Sequence, residues 1–136
     1  MTTDNDIRQI LTSVKTIAVV GFSANPSRPS HDVARFLQGK GFKVIPVNPG
    51  LAGQTQIGET VYATLADIPV PVDMVDVFRA SDAVAGVMDE AIAIKAKVVW
   101  TQLGVVDEDA AEKGRAAGLQ VVMNRCPAIE MPRLGL

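Results

Sequence analysis

The chain is 136 residues long, about the size of one domain, and 48% of it is apolar, ample for a core. A formal net charge of −2 leaves no global basic field for DNA or an anionic membrane, and 4% aromatics are too few for a single-strand stacking platform. One cysteine, Cys126, excludes an internal disulfide framework and a Cys-based zinc cluster; one histidine, His31, excludes a multi-His metal site. No apolar run approaches membrane-spanning length, and the start, MTTDNDIRQ, carries acids rather than a signal-peptide pattern. The expectation is a soluble, cytoplasmic protein.

Thr3 to Val14 reads as a helix with Thr3 as N-cap and Asp6 answering it. Ile7, Ile10, Leu11 and Val14 share one face. Thr16–Val20 is a strand apolar on both faces, which suits a central parallel strand covered by helices on both sides. Gly21–Pro29 is a polar loop, longer than a simple connection needs. A helix follows from about Ser30, its expected N-cap, to Lys40, and Gly41 ends it. Lys43–Val47 is the second strand, and Asn48-Pro49-Gly50 turns the chain. Leu51–Thr60 reads as a surface excursion, Val61-Tyr62 as a short extra strand, and Thr64–Ile68 as a helical turn. Met74–Phe78 is the third main strand. Ser81 caps a helix with a stripe of Val84, Val87, Met88, Ala91 and Ile92. Val98–Thr101 is the fourth strand, Asp107 caps a short helix to Ala117, and Gln120–Met123 is the fifth strand. The tail contains Pro127 and Pro132, leaving room for at most a single helical turn.

Alternating strands and helices predict an α/β, Rossmann-like, doubly wound sheet of about five parallel strands, in an order near 3-2-1-4-5, with helices on both faces. Such sheets bind ligands beyond the carboxyl ends of the strands. After the first strand, Gly21 permits a tight turn and close backbone approach; Ser23 and Ser30 offer hydroxyls, Arg28 a planar fork, and the helix N-terminus free N–H donors. This is an anion site. A dinucleotide fingerprint would need three glycines, and only Gly21 is present. The acid that would meet ribose hydroxyls after the second strand is replaced by Val47-Asn48-Pro49. Lys43, at the start of that strand with no acid beside it, suits a ligand with an extra phosphate on its ribose, a feature NADP shares. Phe78 reads either as a ring for adenine or as a strand-end core residue, and Arg79 as a phosphate partner or a solvated arginine. Gln102 and Gly104 follow the fourth strand, and Trp100 reads as core. His31 reads as an exposed first-turn residue, Asp73, Asp76, Asp107, Glu108 and Asp109 as caps and surface charge, and Glu130 as a lone tail acid. No carboxylate pair invites an acid/base assignment. Cys126 is either a buried inert thiol or a neighbour of the ligand cleft.

Several segments together resemble a known family: Gly21-Phe22-Ser23, Asn25 to Ser30, Gly41 to Pro49, Val75 to Arg79, Trp100-Thr101-Gln102-Leu103-Gly104 and Arg125-Cys126. In this order they are similar to the small stand-alone CoA-binding proteins, and so to the N-terminal domain of the succinyl-CoA synthetase α subunit. The resemblance covers almost the whole chain, residues 1–136 being expected to form a single CoA-binding domain. It implies coenzyme A or an acyl-CoA as ligand, with Gly21, Phe22, Ser23, Arg28 and Ser30 at its phosphates and Lys43 at the nucleotide phosphates. Val47, Asn48, Pro49, Phe78 and Arg79 would border the nucleotide, and Gln102, Leu103 and Gly104 would line the pantetheine path. The synthetases' phosphorylated histidine and grasp domain have no counterpart here, which leans against an enzyme. The rival expectation is an enzyme acting on acyl-CoA or on another, NADP-like nucleotide. A partner protein or a homo-oligomer is compatible with either.

Overall fold

The structure, a computed structural model, describes residues 2–136. Helix α1 (Asp4–Ser13) starts at the expected capping box: Asp6 N–H donates to Thr3 Oγ1 at 3.1 Å, and Thr3 N–H donates back to Asp6 Oδ2 at 3.0 Å. β1 (Thr16–Val20), α2 (Pro29–Gly39) and β2 (Lys43–Val47) follow. The excursion expected over Leu51–Thr60 holds a two-stranded hairpin, β3 (Thr55–Gln56) and β4 (Glu59–Thr60). Tyr62 does add strand-like pairing, through an isolated parallel bridge to Val47. Then come β5 (Met74–Val77), α3 (Val84–Ala93), β6 (Val98–Thr101), α4 (Glu108–Ala116), β7 (Gln120–Val122) and α5 (Pro127–Arg133). The tail thus forms a seven-residue helix rather than a single turn. Pro127 opens it where no N–H is needed.

The five main strands form one parallel sheet in the order β2-β1-β5-β6-β7. The doubly wound α/β class is as expected; the strand order is not. The third main strand joins the far side of β1 instead of flanking β2. β1, β5 and β6 are buried on both faces, so each face closes a core of its own. Ile17, Val19, Met74 and Trp100 pack under α1, α2 and α5. Ala18, Val75, Val77 and Val99 pack under α3 and α4. At β1 and β5 the winding reverses, since α2 leaves to one face and α3 to the other. The loops after these two strands part and leave a crevice at the carboxyl edge.

Candidate nucleotide cleft

The crevice begins at Gly21. Its φ of +87° lies where side chains are disfavoured, and a Cβ there would stand 2.6 Å from the Phe78 carbonyl oxygen and 3.3 Å from Arg79 Cδ. The loop after β1 is held from within the protein at almost every peptide group. Gly21 and Phe22 N–H both donate to the Val47 carbonyl, at 3.1 and 3.3 Å. Asn48 Nδ2 donates to the Phe22 carbonyl at 2.7 Å, while Asn48 Oδ1 accepts from Gly50 N–H at 2.8 Å. Ser23 N–H donates to Ser30 Oγ at 2.9 Å, and His31 Nδ1 lies 3.0 Å from the Ser23 carbonyl. Further on, Asn25 Oδ1 accepts from Ser27 N–H at 3.0 Å, a local turn that presents Arg28.

These contacts change which groups are free. The Gly21, Phe22 and Ser23 N–H donors are spent on the protein. Among the described residues, Ala24 and Ser30 N–H take no partner in the chain, and the Ser30 donor lies in the first turn of α2, at its positive end. Ser30 is not the N-cap that the sequence suggested. Arg28 holds that place without a side-chain bond, and Pro29 follows it. The Ser30 hydroxyl turns inward to grip Ser23 instead. His31 is likewise no exposed residue: it is 8% accessible, and its ring lies 5.3 Å from that of Phe22.

Two adjoining clefts open here. The first, about 630 Å³, is lined by Gly21, Phe22, Ser23, Arg28, Ser30, Asn48 and Phe78 among others. The second, about 410 Å³, is lined by Val47, Asn48, Pro49 and Arg79, with Thr64 and Glu90 opposite. Both share Gly21, Asn48 and Gly50. Most of the expected site residues thus converge. The Phe22 side chain is buried in the core, so only its backbone faces the first cleft. Phe78 is half-buried, its ring resting on the same core. Arg28 and Arg79 are exposed and enter none of the ion pairs among the described residues.

Four expected residues are not brought to these clefts. Lys43 pairs in register with Thr16 at the amino end of the sheet, four residues or about 13 Å before Val47, and faces Glu59 at 4.0 Å. Gln102, Leu103 and Gly104 form the turn after β6, on the carboxyl edge but outside both clefts. Gln102 is buried and donates its Nε2 to Asp76 Oδ1 at 2.9 Å; Leu103 is 59% exposed; Gly104 N–H donates to Asn124 Oδ1 at 2.7 Å.

The acids also sort differently. Asp76 is no surface charge: it is fully buried in β5, and burial pushes its carboxyl up to about 7 against the pull of the Gln102 hydrogen bond. An aspartate inside the apolar run Met74-Val75-Asp76-Val77 was the signal for this. Glu130 is not alone. Burial would push it up, but hydrogen bonds from Arg133 and Arg125 outweigh that and hold it below the usual carboxylate range. Cys126 is buried, lines neither cleft, and its thiol is pushed up by that burial. Trp100 is core, as expected, with Nε1 donating to the Arg125 carbonyl at 2.9 Å.

Residues 15–132 match the family model of the CoA binding domain. The chain belongs to that family. It is 39% identical over 121 residues to "Uncharacterized protein YneT" of Bacillus subtilis (strain 168), covering 89% of this chain and 88% of YneT. The structure of cell-free ID.343 from Thermus thermophilus superposes with a TM-score of 0.93 at 39% identity, over 98% of this chain and 99% of that one. A dinucleotide-forming acetyl-coenzyme A synthetase 1 of Ca. Korarchaeum cryptofilum in complex with phosphate and ADP matches at 27% identity and a TM-score of 0.70, over 86% of this chain but 27% of the synthetase. The same fold thus occurs both as a small chain and as part of a larger one.

Proposed function

We propose that this chain binds coenzyme A, or an acyl-CoA, in the cleft at the carboxyl edge of β1 and β5, as a cytoplasmic binding module that does no chemistry on its ligand. One observation carries the reading: the Gly21–Ser30 loop is fixed by its own protein, and two of the donors it leaves free, Ser30 N–H and the unpaired Arg28, sit together at the α2 N-terminus. Such a loop receives a phosphate without reorganising. Arg79 adds a second unpaired cation across Gly21. Asn48 has both ends of its amide engaged inside the protein, so it is no substitute for the acid that holds the ribose of NAD. Coenzyme A brings a pyrophosphate and a ribose monoester of about −1.5 to −2 charge at pH 7, which suits two free arginines.

Calorimetry with CoA, dephospho-CoA, NAD and NADP tests this. The expected order is CoA strongest, dephospho-CoA weaker, and NAD undetectable. Binding of NADP with no heat from CoA would overturn it. Turnover of an acyl-CoA by the purified protein would instead favour an enzyme.

A further inference from the structure

Asp76 Oδ2 is, among the described residues, a buried side-chain oxygen without a hydrogen-bond partner. It sits on β5, between Val19 of β1 and Trp100 of β6, where the winding reverses. Two residues further along the same face is Phe78, which lines the first cleft, about 7 Å away along the strand. Among the described residues, no cation balances Asp76 and its one polar contact is Gln102. The layer it faces is apolar where α1 contributes Ile7, Ile10 and Leu11. Titratable groups on that side are His31 from α2, and Cys126 and Glu130 at the start of α5; the charge of Glu130 is met by Arg125 and Arg133. Burial, against the pull of the Gln102 hydrogen bond, brings the Asp76 carboxyl up to about 7, to the verge of ionising near neutrality.

A polyanion in the cleft adds negative charge close to this carboxyl across a poorly screening interior. We propose that Asp76 is a proton-linked element of the cleft: when a polyphosphorylated nucleotide binds, the Asp76 carboxyl takes up a proton from solvent, so that binding is tighter in mildly acid than in mildly alkaline solution. The inference rests on the reading of the cleft as a CoA site. By linkage, the ligand raises the proton affinity of Asp76 by the same factor that protonation raises the affinity for ligand.

The test is carbon NMR of wild-type protein labelled at the aspartate carboxyl carbons, titrated between about pH 5 and pH 9 with and without saturating CoA. Asp4, Asp6 and Asp73 are held below the usual carboxylate range, whereas Asp76 is expected to give an aspartate resonance with a midpoint near neutrality in the free protein. With CoA that midpoint should rise by about one unit, a tenfold preference of the ligand for the protonated form. In Asp76→Asn the resonance should vanish, and proton uptake on binding, read by calorimetry in two buffers of different ionisation heat, should fall. If that variant does not fold, the wild-type titration still decides. An unmoved midpoint with CoA bound, or no aspartate titrating near neutrality, overturns this inference and leaves the CoA reading standing. No binding of CoA in the same sample overturns both.

Discussion

At position 21 the backbone and its surroundings impose the same choice. A φ of +87° disfavours any side chain, and the Phe78 carbonyl oxygen, 2.6 Å from where a Cβ would be, leaves no space for one. Gly21→Ala should therefore cost about 2–4 kcal/mol of stability, read by denaturant unfolding, and should widen the approach of β1 to β5 beneath the cleft. A cost below about 0.5 kcal/mol, the range of an ordinary surface change, would show that the loop repacks freely. Asp76 predicts a pH dependence of its own. Its native carboxyl holds its proton up to about 7, whereas the unfolded one releases it near 3.8, the value of an ordinary aspartate. The stability it contributes is full below about pH 4 and is lost as pH rises towards 7. At about 1.4 kcal/mol per unit the loss is of order 4 kcal/mol at most. Asp76→Asn should remove this decline; an unchanged pH profile in that variant would contradict it. Gly21 was legible as a turn glycine because an apolar strand stops at it. Asp76 was misread because acids are mostly exposed, although its apolar neighbours on both sides already placed it inside a two-faced strand.

At the scale of elements, the loop between β1 and α2 is shaped by its neighbours more than by its own sequence. Asn48, from the turn after β2, satisfies the Phe22 carbonyl and the Gly50 N–H together. Asn48→Ala leaves both unmet, at about 1–3 kcal/mol. Hydrogen exchange at Ala24–Ser30 should speed up, and CoA affinity should fall more than global stability explains; full affinity in this variant would show that the latch is dispensable. Strand, loop and helix could each be read locally, from the apolar run, the prolines and the helical spacing. The cap could not, because Pro29 fits the first helical position and pushes Ser30 one place inward, where its hydroxyl serves Ser23. Strand order was a long-range property, yet one residue bore on it. Pro46 lies within β2 and lacks an N–H, which suits an edge strand; β2 is the edge, with only the Tyr62 bridge beyond it.

Taken whole, a mildly acidic molecule concentrates two unpaired arginines on one edge of its sheet. The winding puts them there, because the loops after β1 and β5 separate where α2 and α3 leave to opposite faces. Lys43 was grouped with them by resemblance, but strand direction carries it to the opposite end of the sheet. The most direct measurement is calorimetric titration of CoA into wild type, Arg28→Ala and Lys43→Ala, each checked for an unchanged fold. Loss of a charge-assisted contact is worth about 1.5–3 kcal/mol, so Arg28→Ala should weaken binding by roughly tenfold to a hundredfold, while Lys43→Ala should stay within about twofold of wild type. Full affinity in Arg28→Ala together with a large loss in Lys43→Ala would contradict the placement of the ligand at the carboxyl edge.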